Sequence, residues 1–175
     1  MVYTGIERKN RLMKKTLPSY IPALAAGMGA VAGLRSMTAP AAIAWAAKTK
    51  AIHLGTSPLV EIISGKVSDK AIQLALAELV ADKLPFTRDR IEPGPLATRI
   101  LSGAACGAVL AGVADRLLTE GAILGGLGAL VGAFGSYHLR RKLSRDMPEF
   151  AVALVEDALA IAAAAAIVTY VSKSL

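Results

Sequence analysis

Aromatic residues make up only 5% of this 175-residue chain and charged residues 19%, against roughly 25% charged in an ordinary soluble domain. Cys106 is the only cysteine, which excludes an intrachain disulfide framework and any multi-cysteine zinc site. The two histidines, His53 and His138, stand in no metal-ligand spacing. There is no Ser-His-Asp arrangement, phosphate-binding loop, HExxH or dinucleotide fingerprint. Soluble-type catalysis therefore has no support, no cofactor is indicated, and the chain reads as a non-enzyme.

What the chain has in quantity is Ala, Leu, Val, Ile and Gly. Hydrophobic residues reach 54% and the mean hydropathy is +0.52. A soluble protein this small has too little interior for so many apolar side chains, and a disordered chain would be apolar-poor. The sequence specifies an integral membrane protein, an all-α polytopic bundle in a lipid bilayer. A net charge of +7 invites a nucleic-acid reading, but no basic face is interleaved with aromatics. The basic residues cluster beside apolar spans instead, as the positive-inside rule expects, so no nucleic-acid partner is expected.

Five segments stand out. They are Ser19 to Ala47, Ala71 to Leu84, Leu96 to Ala114, Gly121 to Leu139 and Phe150 to Ser172. The stretch His53 to Gly65 is too short to cross and reads as interfacial. Residues 1–18 form a basic tail followed by a retained first span, and 19–175 one transmembrane helical domain. If all five segments cross, 13 of the 20 Lys and Arg fall on one side and six on the other, with Arg35 between. That places the N-terminus in the cytoplasm and the C-terminus outside. A re-entrant first segment would swap the downstream loops and largely erase the bias.

Glycines four apart, Gly29/Gly33, Gly103/Gly107, Gly121/Gly125 and Gly128/Gly132, predict close helix approach, either within one chain or between copies in an oligomer. A weak internal repeat, L-V-x-D-x-L at Leu79 and again at Leu154, would pair the first two segments with the last two. Those halves would then run in opposite orientation, the inverted-repeat plan of many transporters.

The ionisable residues inside the segments that are candidates for a site are Arg35, Glu78, Asp82, Lys83, Glu156 and Asp157. Such residues are costly in lipid and face a partner or a water-filled cavity. Glu78 and Asp82 share a helix face. Glu156 and Asp157 point about 100° apart, so they cannot share one partner. Arg35 is the deep cation, expected to pair with Asp82 or Asp157. Around it, Gly33-Leu34-Arg35-Ser36-Met37-Thr38-Ala39-Pro40 reads as one helix ending and another starting, with Ser36 or Thr38 as N-cap and Pro40 in the first turn. Such a half-helix start suits an anion or carboxylate, and a plain proline kink is the alternative. Arg99, opening the third segment, is expected to snorkel to headgroups.

The Gly33–Pro40 motif, Glu78–Pro85, Arg99–Ala104 and Leu154–Ile161, taken in order, resemble the domain of unknown function 4126 family, small bacterial membrane proteins. The resemblance spans about Leu24 to Ile167. It implies a polytopic protein of the bacterial inner membrane and brings no activity, substrate or cofactor. The residues themselves favour a small-solute or ion transporter or channel-like protein, acting as an oligomer, with Arg35, Ser36, Thr38, Glu78, Asp82, Lys83, Glu156 and Asp157 at its site. A subunit or scaffold of a larger membrane complex is the alternative. A lipid-headgroup enzyme with metal at Glu78 and Asp82 comes third.

Overall fold

A computed structural model describes residues 20–51, 69–70, 73, 93–145 and 147–174. The fold is all-α. Five helices are described: α1 (Ile21–Leu34), α2 (Thr38–Lys48), α3 (Pro93–Val113), α4 (Leu118–Leu143) and α5 (Glu149–Ser174). The expected second segment, with Glu78, Asp82 and Lys83, and the stretch His53–Gly65 lie outside the described residues.

Helices α3, α4 and α5 are each long and apolar enough to cross a membrane. At about 1.5 Å per residue, the 26 residues of α4 and of α5 reach about 39 Å, more than the roughly 30 Å of hydrocarbon. By the same arithmetic α1, with 14 residues, and α2, with 11, fall short singly. The chain is an integral membrane protein.

Helix α4 runs in contact with both α1 and α3, which also touch each other. Glycine makes this possible. A methyl carbon added at Gly29 would lie 2.8 Å from Gly125 Cα, and one at Gly33 would lie 2.7 Å from the Ala133 nitrogen. One added at Gly107 would lie 2.9 Å from Gly125 Cα. All four glycine pairs expected from the sequence lie at these interfaces, and the contacts they make are within one chain. Lipid offers no hydrophobic drive to press helices together, so dispersion between closely set backbones replaces it. Helix α5 is attached differently. It lies along α1 and α2 and only grazes α4, with Ile167 packed near Gly27 and the Tyr20 and Tyr170 rings edge to face at 4.9 Å.

These contacts fix helix directions. Ala26 meets Gly128 and Ala30 meets Gly132, so α1 and α4 are parallel. Gly103 meets Gly29 and Ala129, Gly107 meets Gly121, and Tyr20 meets Tyr170. Helix α1 is thus antiparallel to α3 and α5. Five successive crossings would give the reverse in every case. Tyr20, at the start of α1, and Tyr170, in the last turns of α5, meet at one end of the bundle. The expected alternation of α1 with α3, α4 and α5 is corrected accordingly. So is the inverted pairing of halves, because its supposed counterparts α1 and α4 run the same way. The basic cluster Arg140–Arg145 follows the far end of α4, opposite Tyr20.

Candidate functional site

Helix α1 stops inside the bundle. Arg35, its C-cap, turns to extended backbone at φ −142° and ψ 113°, and a three-residue break leads into α2. The sequence cues are Gly33 before the stop and Pro40 in the first turn of α2, a residue whose missing N–H costs nothing there. Neither Ser36 nor Thr38 holds the N-cap position of α2 as expected: Met37 does, with no capping bond from its side chain. Thr38 is instead the first, buried residue of α2, and the Ser36 carbonyl accepts a hydrogen bond from Ser102 Oγ–H of α3.

A helix that ends away from water exposes carbonyls with no partner. The Arg99 guanidinium of α3 fills that need, donating from Nη1 to the Gly33 and Leu34 carbonyls, the second at 2.7 Å. Arg99 is buried and does not snorkel. The reason is positional: a cation at a helix C-terminus meets the negative end of the dipole as well as free acceptors. Sequence reading left Arg99 outside the site. The signal that would have found it is the need to satisfy the broken end of α1 from a neighbouring helix.

Arg35 is 0% exposed, the largest fully buried side chain among the described residues. Its Nη2 is ion-paired with Asp157 Oδ1 of α5, whose side chain is 8% exposed. Glu156, next along α5 and also buried, accepts a hydrogen bond on Oε1 from Ser136 Oγ–H of α4. The 100° step between neighbouring helix positions thus sends the two carboxylates to different partners. Three helices converge on the break in α1: α3 with Arg99 and Ser102, α4 with Ser136, α5 with Glu156 and Asp157. Asp157 lies eight residues inside the start of α5, about 12 Å along its axis.

Among the described residues, the charged side chains near the break are two arginines and two acids. Arginine stays charged, and a buried charge persists only with a counter-charge and hydrogen bonds. The arrangement can therefore hold charge within the span, Arg35 against Asp157 and Glu156 against Ser136. Among the described residues no group of three His, Cys, Asp or Glu could hold a metal ion. Glu78, Asp82 and Lys83, the other expected members, lie outside the described residues.

A family described as a domain of unknown function, DUF4126, matches residues 23–170. The chain belongs to the DUF4126 family. That match covers the break, Arg99 and both acids of this DUF4126 protein, and the description attaches no activity to them. Comparisons with curated proteins and with solved structures found no match.

Proposed function

We propose that this DUF4126 protein is a small transporter that carries an ion or small charged solute, the buried cluster at the α1 break being its site. The observation behind this reading is Arg35, wholly buried at a helix discontinuity and paired with a carboxylate on another helix. Discontinuous helices whose ends face buried charge are the recurring construction of transporter sites, and intramembrane ionisable residues are functional by default. The two ways in which the helices are joined suggest the moving part. Helices α1, α3 and α4 touch backbone to backbone, whereas α5 packs through side chains, with Ala160, Ala164, Val168 and Val171 in the apolar core beside the Arg35–Asp157 pair, the Ser136–Glu156 bond and the Tyr20–Tyr170 contact. Rocking of α5 against the glycine-packed unit would open the cluster first to one face and then to the other. This state, with Arg35 sealed from solvent, is the occluded one.

The test is flux into vesicles reconstituted with purified protein, read by an internal pH dye and by tracer uptake for sodium, potassium, chloride and a small carboxylate. Glu156→Gln keeps an oxygen for Ser136 to bond and removes only the charge. The wild type is expected to carry flux above empty vesicles, and Glu156→Gln to lose it while inserting and purifying normally. No flux for any solute, or equal flux in the variant, overturns the reading. Complete burial of Arg35 also favours a second one, in which the pair merely locks the helices of a subunit in a larger membrane complex. That reading expects no flux from wild type, and co-purifying membrane proteins whose association Glu156→Gln leaves intact.

A further inference from the structure

The C-terminal end of α4 is densely basic. At the end where Tyr20 meets Tyr170, Arg116 sits 3.8 Å from Glu120, and Asp115 stands beside Arg116 while Lys173 is exposed. At the opposite end, Arg140, Arg141 and Lys142 fill the last turn of α4, and Arg145 follows just past its C-cap, Ser144. Arg141, Lys142 and Arg145 are exposed. In the sequence, only two acids, Asp146 and Glu149, follow these four bases within the next several residues. The helix dipole accounts for cations within the last turn, but it does not reach Arg145, nor does it account for the apolar residues that follow. Met147 is 40% and Phe150 60% exposed, and Leu139 is exposed one position before the first arginine. Tyr137 and His138 stack edge to face one turn below, where an aromatic belt marks the bilayer boundary.

A fringe of exposed guanidinium and ammonium groups over large exposed apolar side chains, at the end of a spanning helix, is matched to one surface. We infer that the α4–α5 end binds the headgroups of anionic phospholipids. Arg141, Lys142 and Arg145 reach phosphates, and Leu139, Met147 and Phe150 seat in the acyl region beneath them. Basic clusters immediately beside a span attract acidic lipid in this way, and arginine adds forked donation to phosphate oxygens. The inference stands apart from the transport reading, since none of these residues belongs to the buried cluster.

Cys106 supplies the readout. It is the only cysteine and is buried, so a thiol-reactive fluorophore reports unfolding. In neutral detergent, added phosphatidylglycerol is expected to raise the unfolding midpoint by several degrees more than phosphatidylcholine does, and high salt is expected to remove the difference. Inorganic phosphate alone is expected to do nothing, which separates a lipid headgroup from free phosphate. The triple variant Arg141→Gln, Lys142→Gln, Arg145→Gln is expected to lose the phosphatidylglycerol effect, whereas Lys173→Gln at the other end keeps it. Should the triple variant fail to fold, Arg145→Gln alone, outside the helix, is expected to lower the response. Equal stabilisation by the two lipids, or an undiminished response in both basic-cluster variants, overturns the inference.

Discussion

Removing the Arg35–Asp157 pair one partner at a time tests whether the cluster is held together by charge. Breaking a buried ion pair by deleting one partner costs about 3–5 kcal/mol, whereas replacing both with neutral groups is often close to neutral. The structure makes the two single variants unequal. In Asp157→Asn the guanidinium loses its counter-charge at 0% exposure, and arginine cannot shed its proton. In Arg35→Gln the stranded group is Asp157, slightly exposed at 8% and able to neutralise itself by taking a proton. Asp157→Asn is therefore expected to be the more damaging, near the upper end of that range, and the double variant the least damaging of the three. For a chain of this size, 3–5 kcal/mol corresponds to a midpoint shift of about 6–20 °C. The Cys106 fluorophore assay in detergent reads all four proteins. Additive single effects would refute the pairing, because contacting groups couple in a double-mutant cycle. A more damaging Arg35→Gln would refute the assignment of the buried cation as the costly member.

The glycine packing offers a control on a single helix. A methyl group at Gly125 would lie 2.9 Å from the Gly103 carbonyl carbon and 3.1 Å from Gly107 Cα, whereas one at Gly135 meets nothing within 4 Å. Gly125→Ala is expected to cost about 1–3 kcal/mol by forcing backbones apart, and Gly135→Ala to be neutral or stabilising by up to about 1 kcal/mol through helix propensity; matching midpoints would refute the packing. Arg99→Ala strands the Gly33 and Leu34 carbonyls that its guanidinium now bonds. A cost of about 2–3 kcal/mol is expected, together with faster hydrogen exchange at the end of α1, and an unchanged exchange pattern would show that the guanidinium is not what satisfies it.

Which parts of this molecule could be read in advance follows from the range of the forces involved. Composition and hydropathy are sums, so the all-α membrane fold was legible without any contact. The break at Gly33–Pro40 was legible because its causes, glycine and proline, act on their own backbone. The convergence of Arg35 on Asp157 followed from scarcity: a deep cation needs an acid, and few were on offer. Helix directions were not legible, because they depend on which glycine faces which, and a four-residue spacing says only that some backbone comes close. Positive-inside counting presumed five alternating crossings, an order that the parallel run of α1 and α4 does not follow. Arg99 was misplaced because its position near a segment start suggested water, whereas its partner, the unsatisfied end of α1, becomes visible only when α3 lies beside it.

The break and the cluster explain each other. A helix cannot simply stop inside hydrocarbon, since no water reaches the freed carbonyls. Arg99 and Ser102 of α3 bond the backbone on either side of Arg35, and they do so from inside the glycine-packed unit. Arg35, pushed out of helical geometry by the stop, must then find its counter-charge elsewhere, and finds it on α5, the helix held outside that unit. The hydrogen bonds that make the break tolerable thus belong to the glycine-packed part of the bundle, while the charge that the break exposes is answered by α5, which packs there through side chains. If α5 moves, it is the Arg35–Asp157 and Ser136–Glu156 contacts that must part, and the Arg99 bonds can stay. Variants at Arg99 should therefore lower stability without changing which solute is carried, whereas variants at Glu156 and Asp157 should alter flux itself. A solute preference that shifts in Arg99→Lys would place the moving boundary between α1 and α3 instead, against the geometry of their glycine contact.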